Sequence, residues 1–153
     1  MKRIIITIIL LCQILWAAPF GKGDTLPVLT WKNQFDRQVS VGKDARVLIM
    51  AFEKDVAVET AKVLTRAPKG VLERHRAYYI SDISSMPSVI TSWFALPKMK
   101  KYPFEVLLIR QKEEGEKFLH QQGKITLYRL KRGNVISVEY MAPKRLEKVL
   151  EQL

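Results

Sequence analysis

The chain is poor in the residues that carry most enzyme chemistry. It has one cysteine, Cys12, placed inside an N-terminal apolar stretch. If that stretch is removed, what remains has no thiol. It can then form no disulfide, no thiolate metal site and no thiol redox couple. Histidine is nearly as scarce. His75 and His120 stand far apart, without a spaced carboxylate motif. A metal site needs a cluster of ligands, so both read as surface histidines and no metal is expected. Glycine never clusters between a strand and a helix, which excludes a phosphate-cradling loop. There is no internal repeat, no low-complexity tract and no linker that would split the chain. No catalytic constellation stands out.

What is present suits one packed domain. The 153 residues are 48% apolar, enough for a core and too many for a disordered chain. The N-terminus has three parts. Lys2 and Arg3 give a positive start, Ile4 to Trp16 is almost unbroken apolar sequence, and Ala17 and Ala18 are small residues before Pro19. That order is the pattern of a secretory signal. Residues 1–17 are therefore expected to be a cleaved leader and residues 18–153 a single domain in the periplasm. The rival, an uncleaved anchor, needs roughly 20 apolar residues, and the run is shorter. Formal net charge is +11. Lys2 and Arg3 carry two of those charges and no acid lies before residue 18, so +9 remains on the rest.

Beyond the leader, Asp24 to Val41 reads as a hairpin. Its strands are Val28–Trp31 and Gln38–Val41, turning at Asn33, Gln34, Phe35 and Asp36. Val47 to Phe52 is continuously apolar, as in a strand covered on both faces. A helix follows, with Asp55 as its cap and Ala57, Ala61 and Leu64 at helical spacing. Ala77 to Ile83 is the next strand, and a strand–helix–strand unit of this length makes the two strands parallel. A second helix is expected from near Ser85, with Val89, Ile90, Trp93 and Phe94 on one buried face and Pro97 as its stop. Phe104 to Ile109 is a third apolar strand. Residues 112–121 suit a short helix with Phe118 and Leu119 buried. Ile125–Leu130 and Val135–Met141 form a hairpin around Lys131, Arg132, Gly133 and Asn134. In its second strand Ile136, Val138 and Tyr140 alternate with Ser137 and Glu139. Pro143 opens a last helix with Leu146, Val149, Leu150 and Leu153 in one stripe.

This order resembles the thioredoxin-like superfamily, and more closely its peroxiredoxin and exported thiol-disulfide branch. Gly23-Asp24-Thr25-Leu26-Pro27 through Val41 looks like that branch's N-terminal hairpin. Tyr102-Pro103-Phe104-Glu105-Val106-Leu107-Leu108 looks like its short strand, and Ile125 to Leu153 like its closing hairpin and helix. The chain is also similar to a small group of exported bacterial proteins with segments like Ser85-Met86-Pro87 and Phe94-Ala95-Leu96-Pro97. The resemblance implies an α/β fold, a three-layer sandwich with an N-terminal β-hairpin, a mixed central sheet and a C-terminal helix. It also implies where the chemistry of the active families would lie. Their nucleophilic cysteine follows the first parallel strand, and here that stretch is Glu53-Lys54-Asp55-Val56-Ala57-Val58. Their cis-proline would fall near Gly123-Lys124. Neither residue is present, so thiol oxidoreductase or peroxidase activity is not expected.

Strand C-termini in open α/β sheets are where ligands bind. That makes Asp55, Asp82, Ser84 and Ser85 a candidate pocket rim, although Ser84 or Ser85 reads first as the cap of the next helix. Trp93 and Phe94 read as core. No cofactor is implied. The basic residues are spread over Lys98, Lys100 and Lys101, over Lys62, Arg66, Lys69, Arg74 and Arg76, and over Lys144, Arg145 and Lys148. In an exported chain the partners of such charge are not nucleic acid. They are an unidentified protein or an anionic envelope component, and weak, salt-sensitive membrane-surface association is expected. The leading reading is a redox-inactive binding or accessory protein. The alternative is a periplasmic enzyme or cofactor-binding protein using the pocket at the ends of the parallel strands.

Overall fold

The structure, a computed structural model, describes residues 17–153. The leader expected over residues 1–17 lies outside the described residues except for Ala17, which is exposed. Seven strands form one mixed sheet: β1 (Leu29–Asn33), β2 (Gln38–Val41), β3 (Val47–Ala51), β4 (Ala77–Asp82), β5 (Leu107–Ile109), β6 (Ile125–Lys131) and β7 (Asn134–Met141). Their spatial order is β2-β1-β5-β4-β3-β6-β7. The β3–β4 and β4–β5 pairs are parallel, and the others are antiparallel.

The unbroken apolar run of β3 follows from its central place. All five of its residues are buried. Val47, Ile49 and Ala51 join one core, while Leu48 and Met50 join the other. Each large side chain withdrawn from water there contributes about 1.5–3 kcal/mol. The first core lies under α1 (Lys54–Arg66) and the C-terminal helix Leu146–Glu151. The second is closed by the N-terminal segment and the stretch before β6: Leu26, Trp31 and Phe118 join Tyr128 and Leu130 there. Helix α1 presents Val56, Thr60, Ala61 and Leu64 to the sheet. It ends at Ala67, whose extended backbone precedes Pro68. No helix among the described residues is long and apolar enough to cross a membrane.

Several expectations are corrected. The first strand is shifted to Leu29–Asn33, and the third apolar strand is trimmed to Leu107–Ile109. Asp55 does not cap α1. Glu53 is the N-cap, and no side chain caps the end. The helix expected over 112–121 spans only Lys112–Gly115, and Phe118 is instead bridged to Phe20. Ile136 is the extra residue of a β-bulge. Val135 pairs with Leu130 and Ser137 with Arg129, which leaves Ile136 unpaired and 47% exposed. A bulge breaks strict two-residue alternation. Val135 and Val138 therefore reach the same core.

The largest correction concerns the helical segment 88–99. It begins at Ser88 with Pro87 as N-cap, so neither Ser84 nor Ser85 caps it. It does not stop before Pro97 but runs through it, as Ser88–Ile90, a π-turn at Thr91–Ala95 and a last turn at Leu96–Met99. Proline has no N–H, and its ring crowds the carbonyl four residues back. The π-turn opens that space: the Leu96 N–H reaches the Thr91 carbonyl, five residues back. The extra residue also changes which face packs. Thr91 and Met99 are buried and Ala95 packs on the core, while Val89, Trp93 and Phe94 are left 63%, 75% and 67% exposed.

Candidate functional site

Two places at the C-terminal ends of the parallel strands have a definite geometry. The first is where β3 hands over to α1. Glu53 keeps an extended backbone, and its carboxylate Oε1 accepts the Gly123 N–H at 2.6 Å. Gly123 sits at φ 72°, a left-handed conformation glycine tolerates without strain. No cis peptide bond occurs among the described residues. Beside this contact the Phe52 and His120 rings stack with centroids 4.8 Å apart. A hydrogen bond and a ring stack thus span the gap between the α1 N-terminus and the loop before β6.

The second place is a cavity of about 480 Å³ between α1, the end of β4 and the helical segment 88–99. That volume lies within the range of small-molecule sites, roughly 300–1,000 Å³. Tyr79, Ser81 and Val106 form its floor, Ala57 and Val58 one wall, and Met86, Ile90, Phe94 and Met99 the other. Tyr79 donates its hydroxyl to the Ala57 carbonyl at 3.2 Å, and burial holds its ionisation far above the ordinary tyrosine range. Tyr102, stacked on Phe104 at 5.0 Å, closes one side and is also pushed up by burial. Lys54 and Lys98 stand in the lining, and neither takes part in an ion pair among the described residues. The arrangement offers an apolar enclosure with ammonium groups at its edge.

No family model matches the chain, and no curated protein matches it in sequence. Solved structures do match. The peroxidoxin BcpB of Mycobacterium tuberculosis superposes with a TM-score of 0.58 at 13% identity, covering 86% of this chain and 94% of that one. The thioredoxin domain of a thiol-disulfide oxidoreductase from Bacteroides vulgatus gives 0.56 at 12%, covering 87% and 97%. A peroxiredoxin-like protein from Aquifex aeolicus gives 0.53 at 12%, covering 88% of each. The chain has the thioredoxin-like fold.

Within this thioredoxin-like domain the stretch 53–58 and Gly123 do face each other, joined through the Glu53 carboxylate. Of the four rim residues, Asp82 and Ser85 line the cavity. Ser84 supports it from outside: its N–H donates to Asp82 Oδ1 at 2.8 Å. Asp55 is exposed on the first turn of α1 and is not part of the lining. Asp82 is also held from behind. A Cβ on Gly115 would run into the Asp82 carboxylate, so glycine there lets Lys112–Gly115 approach β4. His75 is half-buried and His120 exposed, and no metal-binding group of side chains is found among the described residues.

The residues that sequence reasoning missed are Lys54, Ile90, Phe94 and Lys98. Helical periodicity assigned the two apolar ones to the core. One signal was available: between Asp82 and Glu105 the chain has no acid, only Lys98, Lys100 and Lys101.

Proposed function

We propose that this chain is an exported, redox-inactive thioredoxin-like binding or accessory module, and that its ligand site is the cavity beside β4. The observation that carries the reading is the cavity itself: about 480 Å³ of mostly apolar lining, with Lys54 and Lys98 at the edge. Such a lining favours a compound with an apolar body and an anionic end. The absence of cysteine after residue 12 supports the redox-inactive part, because the chemistry of thiol oxidoreductases needs a thiolate nucleophile.

Binding of anilinonaphthalene sulfonate, an apolar ring system with one anionic group, tests the site in the absence of lipid. Val58→Phe puts a ring into the cavity and is expected to weaken binding at least ~tenfold, since displaced apolar contact is worth about 1.5–3 kcal/mol. Lys98→Gln should weaken this probe while sparing a neutral dye. Equal binding by the native protein and a folded Val58→Phe variant would sink the reading. A second reading, an enzyme at the same cavity, draws support from Asp82 and Ser85 in the lining. Native mass spectrometry of purified protein decides for it if a bound cofactor mass or a chromophore is found.

A further inference from the structure

The helical segment 88–99 carries an apolar face that no part of the described chain covers. Exposed apolar residues scattered singly are ordinary. Here Val89, Trp93 and Phe94 lie together at helical spacing, each more than 60% exposed. Three exposed lysines, Lys98, Lys100 and Lys101, follow at once. None of them is in an ion pair among the described residues. Phe94 and Lys98, one helical turn apart, both line the mouth of the cavity, so the apolar and cationic parts share one side of the molecule.

Charge decides what covers such a face. A second copy would bring its own three lysines against these, with no acid between Asp82 and Glu105 to answer them. An anionic bilayer answers both halves of the patch. Its head-group region accepts tryptophan and phenylalanine, and its negative surface potential attracts neighbouring lysines. We propose that residues 88–101 dock the domain on an anionic lipid surface. Val89, Trp93 and Phe94 enter the head-group layer, and Lys98, Lys100 and Lys101 meet the lipid phosphates. Docked this way, the cavity mouth faces the lipid. The proposal goes beyond the cavity reading and can fail separately from it, because the dye experiment contains no lipid.

The test is co-sedimentation of the purified mature protein with phosphatidylglycerol vesicles and with phosphatidylcholine vesicles. Lys98→Gln/Lys100→Gln/Lys101→Gln is expected to lower partitioning onto phosphatidylglycerol by on the order of 100-fold, at about one kcal/mol per lysine. Trp93→Ser/Phe94→Ser should lower it at least ~tenfold through lost apolar burial. Both sets of side chains are exposed, so the thermal melts should match the native protein. Trp93 fluorescence should be quenched by brominated lipid, whereas Trp31, buried in the core, should not. Raised salt should weaken binding but leave the Trp93 quenching detectable at high lipid. Any one of these results overturns the proposal: no binding to phosphatidylglycerol; native-like binding by Trp93→Ser/Phe94→Ser; Trp93 of the native protein left unquenched by brominated phosphatidylglycerol; or a solution dimer that the same variant dissolves.

Discussion

Gln34 is a polar residue almost fully withdrawn from water, at 1% exposure. Its amide extends the sheet past the end of β5: Nε2 donates to the Phe104 carbonyl and Oε1 accepts the Val106 N–H, both at 2.9 Å. Gln34→Ala leaves these backbone groups without a partner, at roughly 1–3 kcal/mol each. Urea denaturation should therefore show a loss of about 2–6 kcal/mol, and a loss near zero would mean water replaces the amide. Sequence reasoning placed Gln34 in a turn, correctly, but a turn residue gives no sign that its side chain is buried. Tyr128 is a second buried polar anchor. Its hydroxyl donates to the Phe20 carbonyl and accepts the Leu119 N–H, each at 2.8 Å. Burial pushes its pKa up to about 12, above the value near 10 of an unfolded tyrosine. A raised folded pKa makes ionisation favour the unfolded chain. Tyr128 thus contributes fully below about pH 10, and its contribution is lost as pH rises towards 12. Alkaline unfolding followed by tyrosinate absorbance should show this loss. Tyr128→Phe should be less stable at neutral pH and should shed part of the alkaline dependence.

Among the elements, the β6–β7 hairpin was the easiest to read and still held a surprise. Arg132 and Gly133 form its two-residue turn at φ 52° and 83°, the geometry that favours Asn-Gly. Arginine in that region is strained by about 1 kcal/mol. Arg132→Asn is expected to raise stability by about 0.5–1 kcal/mol, seen as a higher melting temperature with an unchanged circular dichroism spectrum. An unchanged or lower melt would show that Arg132 makes a compensating contact. Turn chemistry is local, so it can be read from four residues. The Ile136 bulge cannot be, because only pairing with Arg129 and Leu130 reveals the extra residue. The helical segment 88–99 shows the same limit. Its apolar residues repeat convincingly, but the π-turn shifts the repeat. The packed face is made of Thr91, Ala95 and Met99, which carry a weaker hydrophobic signal. Asp82 and Ser85 were reachable because strand ends have a known role. The cavity's opposite wall depended on that unseen shift.

For the molecule as a whole, the thioredoxin-like fold was legible because β3 and β4 announce a buried parallel pair and the closing hairpin and helix follow in order. The mature protein should neither reduce insulin disulfides nor consume peroxide above a heat-killed control. Measurable turnover by the thiol mechanism would require a thiolate that no residue after Cys12 supplies. Intact mass of the protein recovered from the periplasm should correspond to a start near Ala18, and a full-length species confined to the membrane fraction would replace the leader with an anchor. The sheet order also sets a sequence of events in time. The β1–β2 hairpin docks on β5, where Lys32 and Asn33 pair with Leu108 and Leu107 and Asn33 Nδ2 reaches Glu105 at 2.7 Å. A chain threaded out of a channel N-terminus first presents this hairpin long before its docking edge arrives. Until residue 109 has followed, Trp31 and Val41 have no finished core to enter, and closing so long a loop is slow. The first-made element of this protein thus waits for its docking edge, and that wait is the interval in which a holding chaperone would find it open.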